Sequence, residues 1–459
     1  MVRRLARVQI PGWQAALAIV VGVGALLWHV LACTESPMAF SPSGKDLAFV
    51  TVEPYEVDED GFLAGAQVFR LMVLSDGGTL RVVEERGDSM LSAPAYSPDG
   101  KHLCYLRIPL LTEREAKRLH QQIEEGEQAW EEAEKRSGER ESLFDQPPGA
   151  ATRPATQPSL TVDDGALPSL AGMAEVYRKL TVTPTVRVSL VVRDAKTDTL
   201  IRQVEVVLPY PDNLMVSYLT VRPQYTPDGG AVCLCLSPLF MGVDLASGQV
   251  HVLAVPAQVG TLSPDGRTAA VMQEGAIGFV RTDGERTIYR RWREDVSLSG
   301  MVWIDSTRLA LLTADSDEPV LQVLLANGDT VETLPLKLPE HASNKTNTGE
   351  LAIAPDGKHM VVSYGEDVFF MSREGQVLRH WHADEKTALV QPTFAPDSKR
   401  VAFKFMAEQG GSYPRAESIA FFAPNGSELS RSAIPMIDPV STRPTSQPVD
   451  TPLGVQTGK

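Results

Sequence analysis

The chain has 459 residues, 43% of them hydrophobic and 22% charged, the balance of a folded protein with a sizeable core and not of a disordered one. Its formal net charge of -15 at pH 7 excludes nucleic acid as the main partner, because phosphate binding needs a basic footprint. An acidic surface favours solubility and can attract cations or basic protein segments.

At the N-terminus, Arg3, Arg4 and Arg7 precede an uncharged run from Trp13 to Ala32, WQAALAIVVGVGALLWHVLA. As a helix such a run spans about 30 Å, the thickness of the hydrocarbon core. Arginines before it and Glu35 after it predict an N-in orientation. Residues 1–33 are therefore expected to form an uncleaved signal anchor, giving a single-pass membrane protein. The competing expectation is a lipoprotein signal, because Val30-Leu31-Ala32-Cys33 resembles a bacterial lipobox with Cys33 as the lipidated residue. Both place the remainder outside the cytoplasm, in a bacterial cell envelope.

From 34 to 436 one motif returns: a short apolar stretch, Ser/Thr/Ala-Pro-Asp-Gly, a basic residue, then an apolar strand. It reads FSPSGKDLAFV from Phe40, YSPDGKHLCYL from Tyr96, YTPDGGAVCLCL from Tyr225 and LSPDGRTAAVM from Leu262. It continues as IAPDGKHMVVS from Ile353 and FAPDSKRVAFKF from Phe394, with a degenerate copy, WIDSTRLALL, from Trp303. Proline presets φ for the second position of a turn, and Asp-Gly accepts the conformations that follow. Each copy precedes a second hairpin, such as VFRLMVLSDGGTLRVV from Val68 and DVFFMSREGQVLRHW from Asp367. Two hairpins make a four-stranded antiparallel unit that cannot bury both faces alone, whereas a closed ring of units can. The expected fold is all-β, a seven-bladed β-propeller.

These repeats resemble those of the TolB-type, WD-like bacterial propellers over nearly all of the chain beyond the anchor. The resemblance implies a ring around a central channel and a binding or scaffolding role, without naming a ligand. Two departures stand out. Phe, Tyr, Leu or Ile mostly replaces the tryptophan before the turn, and no extra strand is evident at either end. Closure is therefore expected to rest on packing of blade one against blade seven.

Blade two carries an insertion over 108–184. Its Thr112-Glu113-Arg114-Glu115 is a capping box, and Leu119, Ile123, Trp130 and Ala133 follow at helical spacing. A charged helix to about Arg136 is predicted, then a linker, Thr152-Arg153-Pro154-Ala155-Thr156-Gln157-Pro158, and a short helix from Ser169 to Leu180. Residues 437–459 repeat the linker composition and are expected to be a disordered tail.

No G-x-S-x-G, H-E-x-x-H, C-x-x-C or Walker loop is present. The chain is thus expected not to be an enzyme and to carry no cofactor and no metal site. Cys104, Cys233 and Cys235 lie in strand-like runs, and they are expected as buried thiols, or with Cys104 bonded to Cys233 or Cys235. His102 and His359 hold one repeat position, while His380 and His382 flank Trp381 on one strand face, where a metal pair is conceivable. Carboxylates gather in loops joining second to third strands: Glu53, Glu56, Asp58, Glu59 and Asp60 in blade one, Asp315, Asp317 and Glu318 in blade five, Glu366 and Asp367 in blade six. Glu56–Gly61 has the alternation that opens a calcium loop, but Gln67 stands where the bidentate Glu belongs. Because the insertion is a loop of the same class, this acidic rim is expected to be the binding face. The leading expectation is a non-catalytic module for a protein or envelope component. The alternatives are a metal-assisted propeller hydrolase or lyase, and a small-ligand sensor with a pocket in the channel.

Overall fold

The computed structural model describes residues 37–54, 67–110, 185–209, 221–236, 239–254, 259–273, 276–282, 287–291, 296–315, 318–327, 329–336, 349–364, 367–382, 387–407 and 415–435. It also describes Arg118, Gln121, Gln122, Glu125 and Gln128. The strands form seven antiparallel sheets: blade one over 39–86, two over 89–209, three over 224–254, four over 259–291, five over 296–335, six over 349–382 and seven over 387–433. Six have four strands in chain order from the axis outward. In blade two the innermost strand is split into Ser89–Leu91 and Ala95–Tyr96, both paired with His102–Pro109. Pro94 sits in the break, where a residue without an N–H cannot continue the ladder. The Ser92 hydroxyl takes over there, accepting the Leu106 N–H at 2.9 Å.

Burial is greatest in the middle strands of the blades and least in the outermost. The second strand of blade two runs Leu103-Cys104-Tyr105-Leu106 fully buried, the signature of a sheet covered on both faces. The outermost strand of blade seven, Glu428–Ala433, is almost wholly exposed. Apolar clusters fill the seams between neighbouring blades. One joins blades one, two and three, including Phe69, Tyr105 and Leu234. Others join three to four, four to five, five to six, six to seven, and seven back to one. The ring is closed.

The repeated motif does more than turn the chain. In blade two the Ser97 hydroxyl donates to Asp99 Oδ1 at 2.7 Å and accepts the His102 N–H at 2.9 Å, while Asp99 Oδ1 accepts the Lys101 N–H at 3.1 Å. Blades three and four repeat this with Thr226–Asp228 and Ser263–Asp265. The hydroxyl and carboxylate thus satisfy turn amides that the ladder leaves open.

The glycine of the turn then seats on the proline of the preceding blade. A Cβ on Gly100 would lie 3.4 Å from Pro42 Cδ, on Gly229 3.8 Å from Pro98 Cδ, and on Gly266 2.3 Å from Pro227 Cδ. Gly44 of blade one meets Pro396 of blade seven at 3.6 Å, so the same contact crosses the closing seam. In blade seven Ser398 replaces the glycine, keeps a left-handed φ of 60°, and its hydroxyl accepts the Asp356 N–H of blade six at 3.0 Å. Blade five lacks both glycine and proline. There the one repeat tryptophan takes their place: Trp303 packs edge-on against Phe279 of blade four, centroids 6.2 Å apart, and donates to Thr261 O at 3.1 Å.

No strand is exchanged between the ends of the chain among the described residues; closure uses side chains, as expected. Met38, Phe49 and Leu74 of blade one pack with Ala402, Ile419 and Phe421 of blade seven. The fully buried Lys404 donates to Val50 O at 2.8 Å. Arg400 lies 5.7 Å from the Phe40 and Phe421 centroids and bonds Asp76 and the Gly44 carbonyl.

A second polar clamp holds blade two to blade one. The Glu84 side chain, 3% exposed, accepts from Arg107 Nη2 at 2.7 Å, Arg86 Nε at 2.7 Å, Arg193 Nη2 at 2.8 Å and the Tyr105 hydroxyl.

The helical insertion is not shown as an element. Of 108–184 only the strand ends and five residues between them are described. Those five have helical backbone and exposed side chains, with Gln121 donating to Glu125 at 2.8 Å one turn on. The anchor, Cys33, the short helix at 169–180 and the tail lie outside the described residues, and no helix among the described residues is long and apolar enough to cross a membrane. The cysteine alternatives resolve to free thiols: Cys104, Cys233 and Cys235 are all unbridged. They face different seams, Cys104 that of blades two and three, Cys233 and Cys235 that of blades three and four.

Candidate functional site

In an antiparallel blade the first-to-second and third-to-fourth turns share one rim, and the remaining connections share the other. The two rims differ. On the first, the connections among the described residues are tight turns closed by backbone hydrogen bonds, for example Gly100 N to Ser97 O and Gly426 N to Ala423 O, each at 2.8 Å. On the second, the second-to-third connections span 55–66 in blade one, 110–184 in blade two and 408–414 in blade seven, and the passages between blades include 210–223 and 336–348.

Of the expected acidic residues, Asp315, Glu318 and Asp367 stand at strand ends on this second rim. Asp58, Glu59, Asp60, Asp317 and Glu366 lie outside the described residues. Asp315 and Glu318 end the paired strands Arg308–Asp315 and Glu318–Leu325, directly opposite each other, and their side chains are outside the description.

Asp367 is well defined and is not a surface acid. It opens the third strand of blade six, Asp367–Ser372, and is 5% exposed. Register sets it opposite His382 on the outermost strand, Val377–His382, and sets Phe369 opposite His380. With a two-residue side-chain period, Asp367, Phe369, His380 and His382 share one sheet face. Asp367 Oδ1 meets His380 Nε2 at 2.7 Å and His382 Nδ1 at 2.7 Å. The His380 ring stacks on Phe369, centroids 4.7 Å apart and planes within 10°. Phe369 belongs to the apolar seam with blade five, with Leu312, Leu321 and Leu336, so the cluster stands at the rim above that seam. His380 and His382 do share a face, as the alternation predicts. Sequence reasoning put Asp367 in a different group, the acidic rim, and missed that the hairpin joins it to the histidines. The expectation of no metal site is thus set beside a group of three potential ligand atoms within 4.8 Å of one another.

A second polar group lines the axis. Glu350 lies on the innermost strand of blade six, Gly349–Ile353, and its Oε2 accepts the Gln391 N–H of blade seven at 2.5 Å. Burial pushes the Glu350 pKa up; the Gln391 amide and the charges of Arg222 and Lys404 oppose that rise. Arg222, leading into the innermost strand of blade three, is lowered by desolvation and lifted by Glu350. Its side chain nonetheless keeps solvent contact. Gln391 is buried at a φ of 60°, just before Pro392 and within a bulge of Thr387–Phe394. Both its left-handed backbone and its position before proline are disfavoured. Strain of this kind persists where the surroundings over-determine it, and here the carboxylate of Glu350 holds the amide. None of these four was singled out from sequence. Lys404 alone left a local trace, one lysine within the apolar run VAFKFMA.

No protein-family model matches the chain, and no curated protein matches it either. Among solved structures, the dihydro-heme d1 dehydrogenase NirN, in complex with DHE, is 11% identical over 87% of this chain and 66% of its own, with a TM-score of 0.42. TolB from Acinetobacter baumannii is 16% identical over 66% of this chain and 55% of its own, with a TM-score of 0.33. A prolyl endopeptidase is 12% identical over 93% of this chain and 56% of its own, with a TM-score of 0.46. The chain is a seven-bladed propeller with TolB among its structural neighbours. It spans less than two thirds of the length of each of these three proteins, and its likeness to them is one of fold alone.

Proposed function

We propose that the chain is a membrane-tethered, extracytoplasmic propeller acting as a non-catalytic protein-binding module. It engages a protein or cell-envelope component through the rim that carries the insertion. The observation behind this reading is the inequality of the two rims: among the described residues one has tight turns, whereas the long connections fall between strands on the other. Elaborated loops on a rigid scaffold are where recognition residues concentrate. The surrounding acidic residues and the net charge of -15 favour a partner with a basic face, through steering and complementarity. The tether is the 1–33 segment, as an N-in anchor or through lipid on Cys33.

The test is removal of 111–183 from the full chain, followed by crosslinking capture in cells. The deleted protein should keep the circular dichroism of the intact ring and lose its crosslinked partner. Capture of the same partner at undiminished yield by the folded deletion would overturn the rim assignment.

A further inference from the structure

The geometry points to a divalent-cation site of the Zn2+ class formed by Asp367 Oδ1, His380 Nε2 and His382 Nδ1. Three features support it beyond mere proximity. First, the set is one carboxylate and two imidazoles, ligands that suit zinc, cobalt and nickel, whereas calcium and magnesium require mostly oxygen. Second, the donors are held before any cation arrives. Asp367 and His382 are register partners on adjacent strands, and His380 is stacked on Phe369 at 4.7 Å. Third, Asp367 is 5% exposed, and among the described residues its ion-pair partners are these two imidazoles alone. Among the described residues no lysine or arginine pairs with this carboxylate, and a buried carboxylate so placed favours a cation.

The spacing needs little adjustment. Zinc–ligand bonds of about 2.0–2.2 Å place tetrahedral donors roughly 3.3 Å apart, and the carboxylate oxygen now lies 2.7 Å from each imidazole nitrogen. Small side-chain rotations open that gap without moving the strands. Three protein ligands leave one position free. It faces solvent on the side of His382, whose side chain is 53% exposed against 27% for His380. A bound cation would fasten the end of the outermost strand to its neighbour and present an open coordination position on the elaborated rim.

The experiment uses the full chain, freed of any histidine tag, stripped with chelator and titrated with Zn2+ alone by calorimetry, then with Co2+ by visible spectroscopy. The expected result is one equivalent of Zn2+ per chain and a Co2+ complex with the d–d bands of a four- or five-coordinate site. His382→Gln, the most exposed of the three and the least able to disturb folding, should weaken binding by more than about 100-fold, beyond the range of losses from outer-shell changes. Asp367→Asn should do the same with the wild-type circular dichroism retained. Failure of the wild type to bind one equivalent would overturn the site. So would an equivalent bound equally well by a folded His382→Gln variant, which would place the metal elsewhere.

Discussion

Replacing Glu84 by Gln tests whether the clamp between blades one and two is a main source of the ring's stability. Burial by itself would raise the pKa of this carboxyl. Hydrogen bonds from Tyr105, Arg86 and Arg193, with the charge of Arg107, reverse that and hold it at about 2, against 4.5 for an ordinary glutamate. At 1.36 kcal/mol per unit, that difference makes the ionised form worth about 3 kcal/mol to the folded state. Because the side chain is 3% exposed, solvent screening removes little of this. The folded pKa is depressed, so the stabilisation is fully present above about pH 4.5 and is lost as the pH falls towards 2. Glu84→Gln should therefore lower the unfolding free energy by about 3 kcal/mol at pH 7, and the deficit should shrink between pH 4.5 and 3. Urea denaturation followed by tryptophan fluorescence, at pH 7, 5, 4 and 3, measures it. A deficit under about 1 kcal/mol at pH 7, or one that stays constant down to pH 3, would refute the reasoning.

Two further outcomes follow from the described side chains. Gly266→Ala puts a Cβ 2.3 Å from Pro227 Cδ at a φ of +69°, whereas Gly77→Ala meets nothing within 4 Å. Thermal unfolding should show a loss of about 1–3 kcal/mol for the first and a change within about 0.5 kcal/mol for the second. Burial pushes the Cys104 and Cys235 thiols up to about 12 and the Cys233 thiol to about 11, so the reactive thiolate is scarce at pH 8. Ellman's reagent should label the buried Cys104 and Cys233 only in guanidinium, and the half-buried Cys235 slowly in the folded protein; labelling of Cys104 or Cys233 before unfolding would contradict their burial.

The blade count was legible because the turn chemistry is local. Ser97, Pro98, Asp99 and Gly100 carry their own hydrogen-bond scheme within six residues, so each copy announces itself whatever surrounds it. Even the degenerate copy was readable, since Asp305 alone accepts the Thr307 and Arg308 amides, at 2.9 Å each. The split innermost strand of blade two was not read, although Pro94 was in view, because its neighbours look like ordinary strand. The Asp367 cluster was half legible. Alternation puts His380 and His382 on one face, but their partner emerges only when the hairpin register sets 367 against 382. The Glu350 group was illegible because Arg222, Glu350 and Gln391 come from blades three, six and seven, which come near one another only in the ring. No local pattern encodes that meeting.

Four turn glycines, Gly44, Gly100, Gly229 and Gly266, seat on the proline of the blade before, which gives the ring a direction. Gly100 on Pro42 and Gly266 on Pro227 close comparatively short loops, and Gly229 on Pro98 closes one that contains the insertion. Only Gly44 on Pro396 joins the two ends, and it must wait for everything between. The one–seven seam, where Lys404 reaches Val50 O, therefore carries the longest loop closure in the ring, so substitutions there should cost the ring more than equal changes at a seam between sequence neighbours.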